Sequence, residues 1–184
     1  MKNPYEIGNL IYLRVPEISD VESEWYTWFS NPEITKYLTD RYWPNSKQRQ
    51  LEFCESLSQN SEKLVLLIVS RENDELLGVC SLSNINWVHS FCDLSIVVVP
   101  KKHRTGATAI ETFNLLIKIA FDKLNLRNIK CYTVELNKAS LALQTLFGFK
   151  VCGVIPNLFE YDSVLTGLVI SVLSKSQRRI RDKI

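Results

Sequence analysis

The stretch from Asp93 to Leu124, DLSIVVVPKKHRTGATAIETFNLLIKIAFDKL, constrains the chain more than any other. It opens with an apolar strand over 94–99, in which three valines precede Pro100. A basic loop follows, Lys101-Lys102-His103-Arg104, and then a corner of small residues, Thr105-Gly106-Ala107-Thr108. From Ala107 the apolar residues recur at Ile110, Phe113, Ile117, Ala120, Phe121 and Leu124, the three-four spacing of a helix with one buried stripe. Leu116 and Ile119 widen that stripe, so the helix is expected to be covered on more than one side. A strand, a turn and a long helix in this order bring unpaired first-turn N–H groups beside four basic or potentially basic side chains. Those N–H groups and the helix dipole both favour an anion, and the corner reads as a phosphate site. Glycine at 106 lets a phosphate approach the backbone with no Cβ in the way.

A second local signal lies downstream, in Asn137-Lys138-Ala139-Ser140 and the Gly148-Phe149 pair that follows. Asn137 is a good N-cap, residues 139–147 suffice for two to three helical turns, and Gly148 suits the left-handed position just past a helix end. A strand-like segment over 129–135 separates this short helix from the long one.

Taken in order, the chain starts with a predicted strand over 7–15 that ends at Pro16. Ser19-Asp20 offer a cap for a helix carrying Trp25, Tyr26, Trp28 and Phe29, and Asn31-Pro32 end it. A short helix over 33–38, an aromatic loop with Asp40, Arg41, Tyr42 and Trp43, and a helix from a Ser46 cap to Leu57 come next. Strands over 64–70 and 76–87, joined by the charged turn 71–75, form an antiparallel meander into the strand at Asp93. Two last strands, 150–159 and 164–173, are joined by a turn over 160–163. This order predicts an α/β (α+β) fold, a mixed and mostly antiparallel sheet of about seven strands with helices on both faces. At 184 residues the expectation is one domain, 1–184, with a basic, solvated tail over 175–184.

Composition narrows the function classes. Hydrophobic residues make up 46% and charged residues 23% of the chain, which excludes a disordered chain and a membrane-embedded one. No apolar run approaches the ~20 residues that span a bilayer, and residues 1–10 have no apolar core of a secretory signal. With a net charge of +2 and no clustered basic face, nucleic acid is not an expected partner. The five cysteines, at 54, 80, 92, 131 and 152, show no CxxC spacing. An odd count of this kind reads as reduced, mostly buried thiols in a cytoplasmic protein, and with two histidines no metal site is expected.

At the corner and the second helix the chain resembles the GNAT superfamily of acetyl-CoA-dependent N-acetyltransferases. That family's pyrophosphate loop reads Gln/Arg, two residues, Gly, one residue, Gly/Ala; here the matching residues are His103, Gly106 and Thr108, of which Gly106 fits strictly. The segment from Asn137 to Phe149 resembles the family's N-x-A-S … G-F pattern, and the element order matches its fold. The N-terminal LRVPEISDVESEWYTWFSNPEITKYL and the SNINW…D segment are most similar to the branch of ribosomal-protein alanine, spermidine and aminosugar N-acetyltransferases.

The resemblance implies direct attack of a neutral amine on the acetyl thioester, with CoA leaving. It implies that backbone groups of Ile96, Val97 and Val98 hold the pantetheine and polarise the thioester. His103, Arg104, Thr105, Gly106, Ala107, Thr108 and Ala109 would hold the pyrophosphate, and Asn137 would contact the pantetheine arm. Asp93 stands where the branch commonly has Glu, and desolvation at an apolar strand favours the protonated form of a carboxylate, the condition for a useful base. The family's usual acid, a Tyr seven residues after the Asn, is Gln144 here, which cannot donate a proton; Ser140 or Tyr132 would have to supply the hydrogen bond. The N-terminal helices would wall the acceptor pocket, and a homodimer would fit the branch. Two readings follow: an N-acetyltransferase acting on an aminosugar, a polyamine or a protein N-terminus, or a catalytically degenerate acyl-CoA-binding module.

Overall fold

The computed structural model of the chain describes residues 1–38, 42–99 and 106–178. The N-terminal apolar segment, expected as one strand, is a small hairpin. β1 (Glu6–Ile7) and β2 (Ile11–Arg14) run antiparallel, with Glu6 opposite Leu13 and Ile7 opposite Tyr12. The turn between them is fixed from outside: the carboxylate of Glu111 accepts the backbone N–H groups of Asn9, Leu10 (2.9 Å) and Ile11 (3.0 Å). Gly8 is what allows this, because a Cβ there would lie 2.6 Å from Glu111 Oε1. Replacing Glu111 by alanine strips three donors of a charged acceptor at a partly exposed site, and should lower stability by about 1–2 kcal/mol. Urea unfolding reads this directly, and an unchanged midpoint would show that water serves the turn equally well.

Three helical segments, Ile18–Asp20, the π-helical Val21–Trp25 and Tyr26–Trp28, run on as one helix, α1. It starts earlier than a Ser19-Asp20 cap would set it, because Asp20 sits inside the first turn and accepts the N–H of Glu17 at 2.7 Å. Asn31 caps α2 (Pro32–Thr35) by accepting from the Glu33 N–H, and Ser46 caps α3 (Lys47–Ser56) by accepting from Arg49 N–H. β3 (Leu64–Ser70), β4 (Leu76–Asn86) and β5 (Phe91–Val98) form the antiparallel meander. The long helix α4 (Gly106–Lys118) widens into a π turn, Ile119–Lys123, before β6 (Asn128–Val134). Asn137 caps α5 (Lys138–Phe147), and Gly148 ends it in the left-handed conformation at φ 85°. β7 (Lys150–Tyr161) and β8 (Val164–Ser174) close the chain's sheet as a hairpin.

The strands form one eight-stranded sheet in the order β1-β2-β3-β4-β5-β6-β8-β7. Among the described residues only β5 and β6 pair in parallel, which requires a crossover, and α4 supplies it. Residues alternate between two cores. Leu66, Ile68, Leu82 and Leu94 pack against Phe113 and Leu116 of α4, Phe121 of the π turn after it, and Phe147 of α5. On the other face Val65, Leu67, Val69 and Val79 pack against Trp25 and Trp28 of α1. The β3 sequence LVLLIVS is a continuous apolar run because both of its faces are covered.

One expectation about the margins changes. Lys175 of the expected solvated tail donates to the Phe121 carbonyl at 2.6 Å, and Arg178 pairs with Asp122 at 2.8 Å, so the tail is tied to the end of α4 as far as it is described. Four of the five thiols are buried and Cys152 is exposed. Burial pushes the Cys92 thiol up to about 12 and those of Cys80 and Cys131 higher still, so these are packing groups and not nucleophiles. Among the described residues no helix is long and apolar enough to cross a membrane.

Candidate active site

The parallel pairing of β5 and β6 lasts for three residues only, Phe91 with Asn128, Cys92 with Ile129 and Asp93 with Lys130. Beyond that point β5 stays with β4 up to Val98, while β6 stays with β8 up to Val134. The two central strands therefore part, and the sheet opens as a wedge whose floor is Asp93 and Lys130. At its start the Cys131 thiol reaches the Leu94 carbonyl at 3.7 Å, where a ladder N–H would otherwise be.

Strand alternation decides which backbone groups face the wedge. Val99 N–H donates to Leu77 of β4, so in the antiparallel register of β4 and β5 the pairs Val97–Val79 and Ser95–Ser81 also exchange their bonds. The N–H and C=O groups of Ile96 and Val98 then point the other way, into the opening. Of the three residues expected to hold a pantetheine arm, two present backbone groups to the wedge. Val97 instead has its backbone paired and its side chain in the wall of a cavity on the α1 face.

The first turn of α4 lies beyond the end of β5 and holds Gly106, Ala107, Thr108 and Ala109. Gly106 is exposed, and a Cβ built on it would meet nothing nearer than Ile110 Cδ1 at 4.0 Å. The fold itself thus makes no demand for glycine here. Thr108 is only 5% exposed, so its side chain belongs to the core and only its backbone N–H is on offer to an anion. His103, Arg104 and Thr105, with Lys101 and Lys102, lie outside the described residues, as do Asp40 and Arg41.

Asp93, expected as a carboxylate entering an apolar strand, has two polar partners. Its Oδ1 faces Lys130 Nζ at 3.1 Å, and its Oδ2 accepts from Asn84 Nδ2 at 2.7 Å. Lys130 also donates to the Tyr132 hydroxyl at 3.2 Å and sits 4.3 Å over the Phe91 ring. Burial works to lower the Lys130 pKa, but the Tyr132 hydroxyl and Asp93 outweigh it and hold the ammonium above its ordinary range. The floor of the wedge is thus a chain of Asn84, Asp93, Lys130 and Tyr132 on the face that carries Ser95.

The opposite face presents Ser140, near the start of α5. Asn137 Oδ1 accepts the Ser140 N–H at 3.2 Å, which leaves the Asn137 amide nitrogen to reach a ligand. Gln144, at the position of the family's Tyr, is 2% exposed and locked in a polar network. It donates to Thr133 Oγ1 at 2.6 Å and Ser140 Oγ at 3.1 Å, and accepts from Ser171 Oγ at 2.5 Å. Because Ser140 accepts from Gln144, its own hydroxyl hydrogen is left to be donated. Sequence reasoning did not find Lys130, Asn84, Thr133 or Ser171, since each is brought in by register and not by any local motif.

Beside the wedge, on the α1 face, lies a cavity of about 370 Å³ walled by α1, α3, β4 and β5. Trp25, Trp43 and Phe53 give it aromatic walls, Ser81 and Ser95 line its sheet side, and Arg49 and Lys63 also line it. The expectation that the N-terminal aromatics wall a pocket divides here. Trp25 is fully buried in the core while lining the cavity, and Trp43 is exposed. Among the described residues, no group of three His, Cys, Asp or Glu is placed to hold a metal ion.

Comparison with known proteins converges on one family. Residues 11–150 match the family described as an acetyltransferase (GNAT) domain. The acetyltransferase PseH of Campylobacter jejuni is 25% identical over 118 residues, 64% of this chain and 69% of that protein. The uncharacterized N-acetyltransferase p20 of Bacillus licheniformis is 25% identical over 145 residues, 78% and 80% of the two chains. In fold, the chain superposes on the spermidine N-acetyltransferase of Vibrio cholerae, solved with CoA and spermine, with a TM-score of 0.83 at 19% identity over 92% of this chain and 98% of that one.

Proposed function

The chain belongs to the GNAT acetyltransferase family, and from that premise we propose that it moves an acetyl group from acetyl-CoA to a primary amine on an aminosugar, a polyamine or a protein N-terminus. The observation that carries this reading is the wedge: backbone donors and acceptors of Ile96 and Val98 left unpaired between β5 and β6. A pantetheine arm has the amides to complete that strand edge. The first-turn N–H groups of Gly106 to Ala109 would take the pyrophosphate, joined by His103, Arg104 and Thr105, and the Asn137 amide would meet the arm from the α5 side.

The chemistry then runs across the sheet. The amine lone pair attacks the thioester carbonyl carbon, whose oxygen gains charge and is met by a backbone N–H of the wedge. Asp93 receives the proton shed by the nitrogen, the C–S bond breaks, and Ser140, held by Gln144, gives its hydrogen bond to the departing CoA thiolate. The products are CoA and an N-acetyl amide. The free, mostly buried thiols support a cytoplasmic setting. The long β7 edge, with Val151, Val154, Ile155 and Leu158 exposed, supports a homodimer.

A second reading rests on Gln144, which fills the usual acid position with a residue that cannot donate a proton at neutral pH. On that reading the protein binds acyl-CoA without turning it over. Calorimetric titration with acetyl-CoA, paired with an assay for free CoA thiol, separates the two. Gly106→Ala should leave Tm within about 2 °C, as its Cβ has open space, while Gly106→Glu abolishes binding by placing a carboxylate against the phosphates. Binding without thiol release from any amine would favour the second reading. No binding at millimolar acetyl-CoA would sink both.

A further inference from the structure

The cavity beside the wedge has a one-sided chemistry. Its charged wall residues among those described are Arg49 and Lys63, and no carboxylate lines it there. Among the described residues neither cation is spent on an ion pair: Lys63 Nζ rests 4.8 Å over the Phe53 ring, and Arg49 is an exposed residue of the first turn of α3. The neutral wall groups are also rich in donors. Trp25 and Gln50 each keep a buried N–H group without a partner, and Gln50's oxygen is already taken by Asn45 Nδ2 at 2.8 Å. Ser81 and Ser95 add hydroxyls on the β4–β5 side, next to the point where the strands part. At the rim, Trp43 is 68% exposed and offers a flat aromatic face.

A wall of cations and N–H donors selects a ligand made of acceptors. A polyamine has only positive charges and donors, so it would meet like charge at Arg49 and Lys63 and leave the Trp25 and Gln50 groups unanswered. A protein N-terminus has no need of two cations. Phosphate oxygens answer both cations at once, and Arg49 offers a planar fork for them. An aromatic base on the same molecule would have the face of Trp43 to stack on. The cavity is large enough for a sugar but not for a whole nucleotide as well, which places the base at the open rim.

We propose that the acceptor is an amino sugar carrying phosphate, with Arg49 and Lys63 binding the phosphate and Trp43 stacking on a nucleoside where the phosphate bears one. The sugar's amine would then enter past Ser95 toward the wedge. This rests on the acetyl-transfer reading above, and its test separates the two.

The test uses the full chain with saturating acetyl-CoA and follows thiol release. Three kinds of acceptor are compared: UDP-glucosamine and glucosamine 6-phosphate, unphosphorylated glucosamine, and spermidine. The expected result is kcat/KM at least tenfold higher for a phosphorylated amine than for the other two. UDP-glucosamine outrunning glucosamine 6-phosphate would identify a nucleotide-linked substrate, and the reverse order a simple sugar phosphate. In parallel, UDP binding is measured by calorimetry without any acetyl donor. It should weaken at least tenfold in Arg49→Ala and in Lys63→Ala and fall with added salt, while Tm and acetyl-CoA affinity serve as controls on folding. Preference for spermidine, or UDP affinity indifferent to both substitutions, overturns the proposal. Failure of acetyl transfer with every amine, alongside UDP binding that depends on Arg49 and Lys63, would instead overturn the enzymatic reading and leave the anion site standing.

Discussion

Asp20→Ala should destabilise the protein by about 3–5 kcal/mol, the largest loss expected from any single side chain here. Arg14 at the end of β2 donates to Asp20 in α1 through two parallel bonds, Nη1–Oδ2 at 2.8 Å and Nη2–Oδ1 at 2.6 Å. Both residues are 6% exposed. Asp20 is the chief reason the Arg14 guanidinium is held above even its ordinary high pKa, against the effect of burial. Removing the carboxylate therefore leaves a guanidinium that cannot shed its charge in a buried site. Arg14 Nε is already without a partner among the described residues, so the group would keep only the bond from Nη1 to the Val15 carbonyl at 3.1 Å. Asp20 also accepts the Glu17 N–H, and α1 would lose its first turn with it.

The comparison that isolates the cause is the double replacement Arg14→Met with Asp20→Leu. With both charges gone and volume kept, most of the loss should return, because the cost lies in the orphaned cation and not in a missing attraction. Urea unfolding of the three variants reads it. A loss under about 1 kcal/mol for Asp20→Ala would mean that water reaches Arg14 and that the pair behaves as a surface one.

Such pairs mark the limit of what the sequence could say. The central strand and the long helix from Gly106 were legible because their signals are local, apolar runs and apolar periodicity. Asn137 and Gly148 were legible for the same reason, as each does its work within four residues of itself. The split of the first strand was not, since the Gly8-Asn9-Leu10 turn is held by Glu111, a hundred residues away. Nor was the partner of Asp93, since Lys130 reaches it only through the parallel register of β5 on β6. The apolar strand suggested a desolvated carboxylate there; topology supplied a cation. Gln144 shows the same thing from the other side. Read as a missing Tyr, it is a gap in a motif, whereas Thr133, Ser140 and Ser171 make it the centre of a satisfied network. The cavity's charge was hidden because Arg49 and Lys63 come from different parts of the chain.

The wedge itself yields the second large effect. Ile96→Pro should cut acetyl transfer by about 10²–10³-fold, the scale of losing one preorganised donor to a developing oxyanion, while the protein still folds. A proline in the middle of a sheet normally breaks a ladder bond. At Ile96 there is none to break, because its N–H faces the opening and β4 is held by Val97 and Ser95 on either side. Ser95 is already extended, as a residue before proline must be. The cost to the fold is then the loss of part of a half-buried Ile side chain, about 1–2 kcal/mol.

Val97→Pro is the matched control. It removes a donor that β4 uses and should destabilise the central sheet severely while leaving the wedge's own N–H groups intact. Thermal unfolding and thiol-release kinetics on both variants give four numbers and one pattern: Ile96→Pro folded and slow, Val97→Pro unfolded. If Ile96→Pro unfolds and Val97→Pro does not, the facing of β5 is the reverse of that drawn from the Val99–Leu77 bond. If Ile96→Pro is folded and as fast as the parent, the unpaired N–H of Ile96 has no part in catalysis. Acetyl-CoA titration of the same variant tells binding from chemistry, since a donor used only on the developing charge lowers kcat and leaves affinity nearly unchanged.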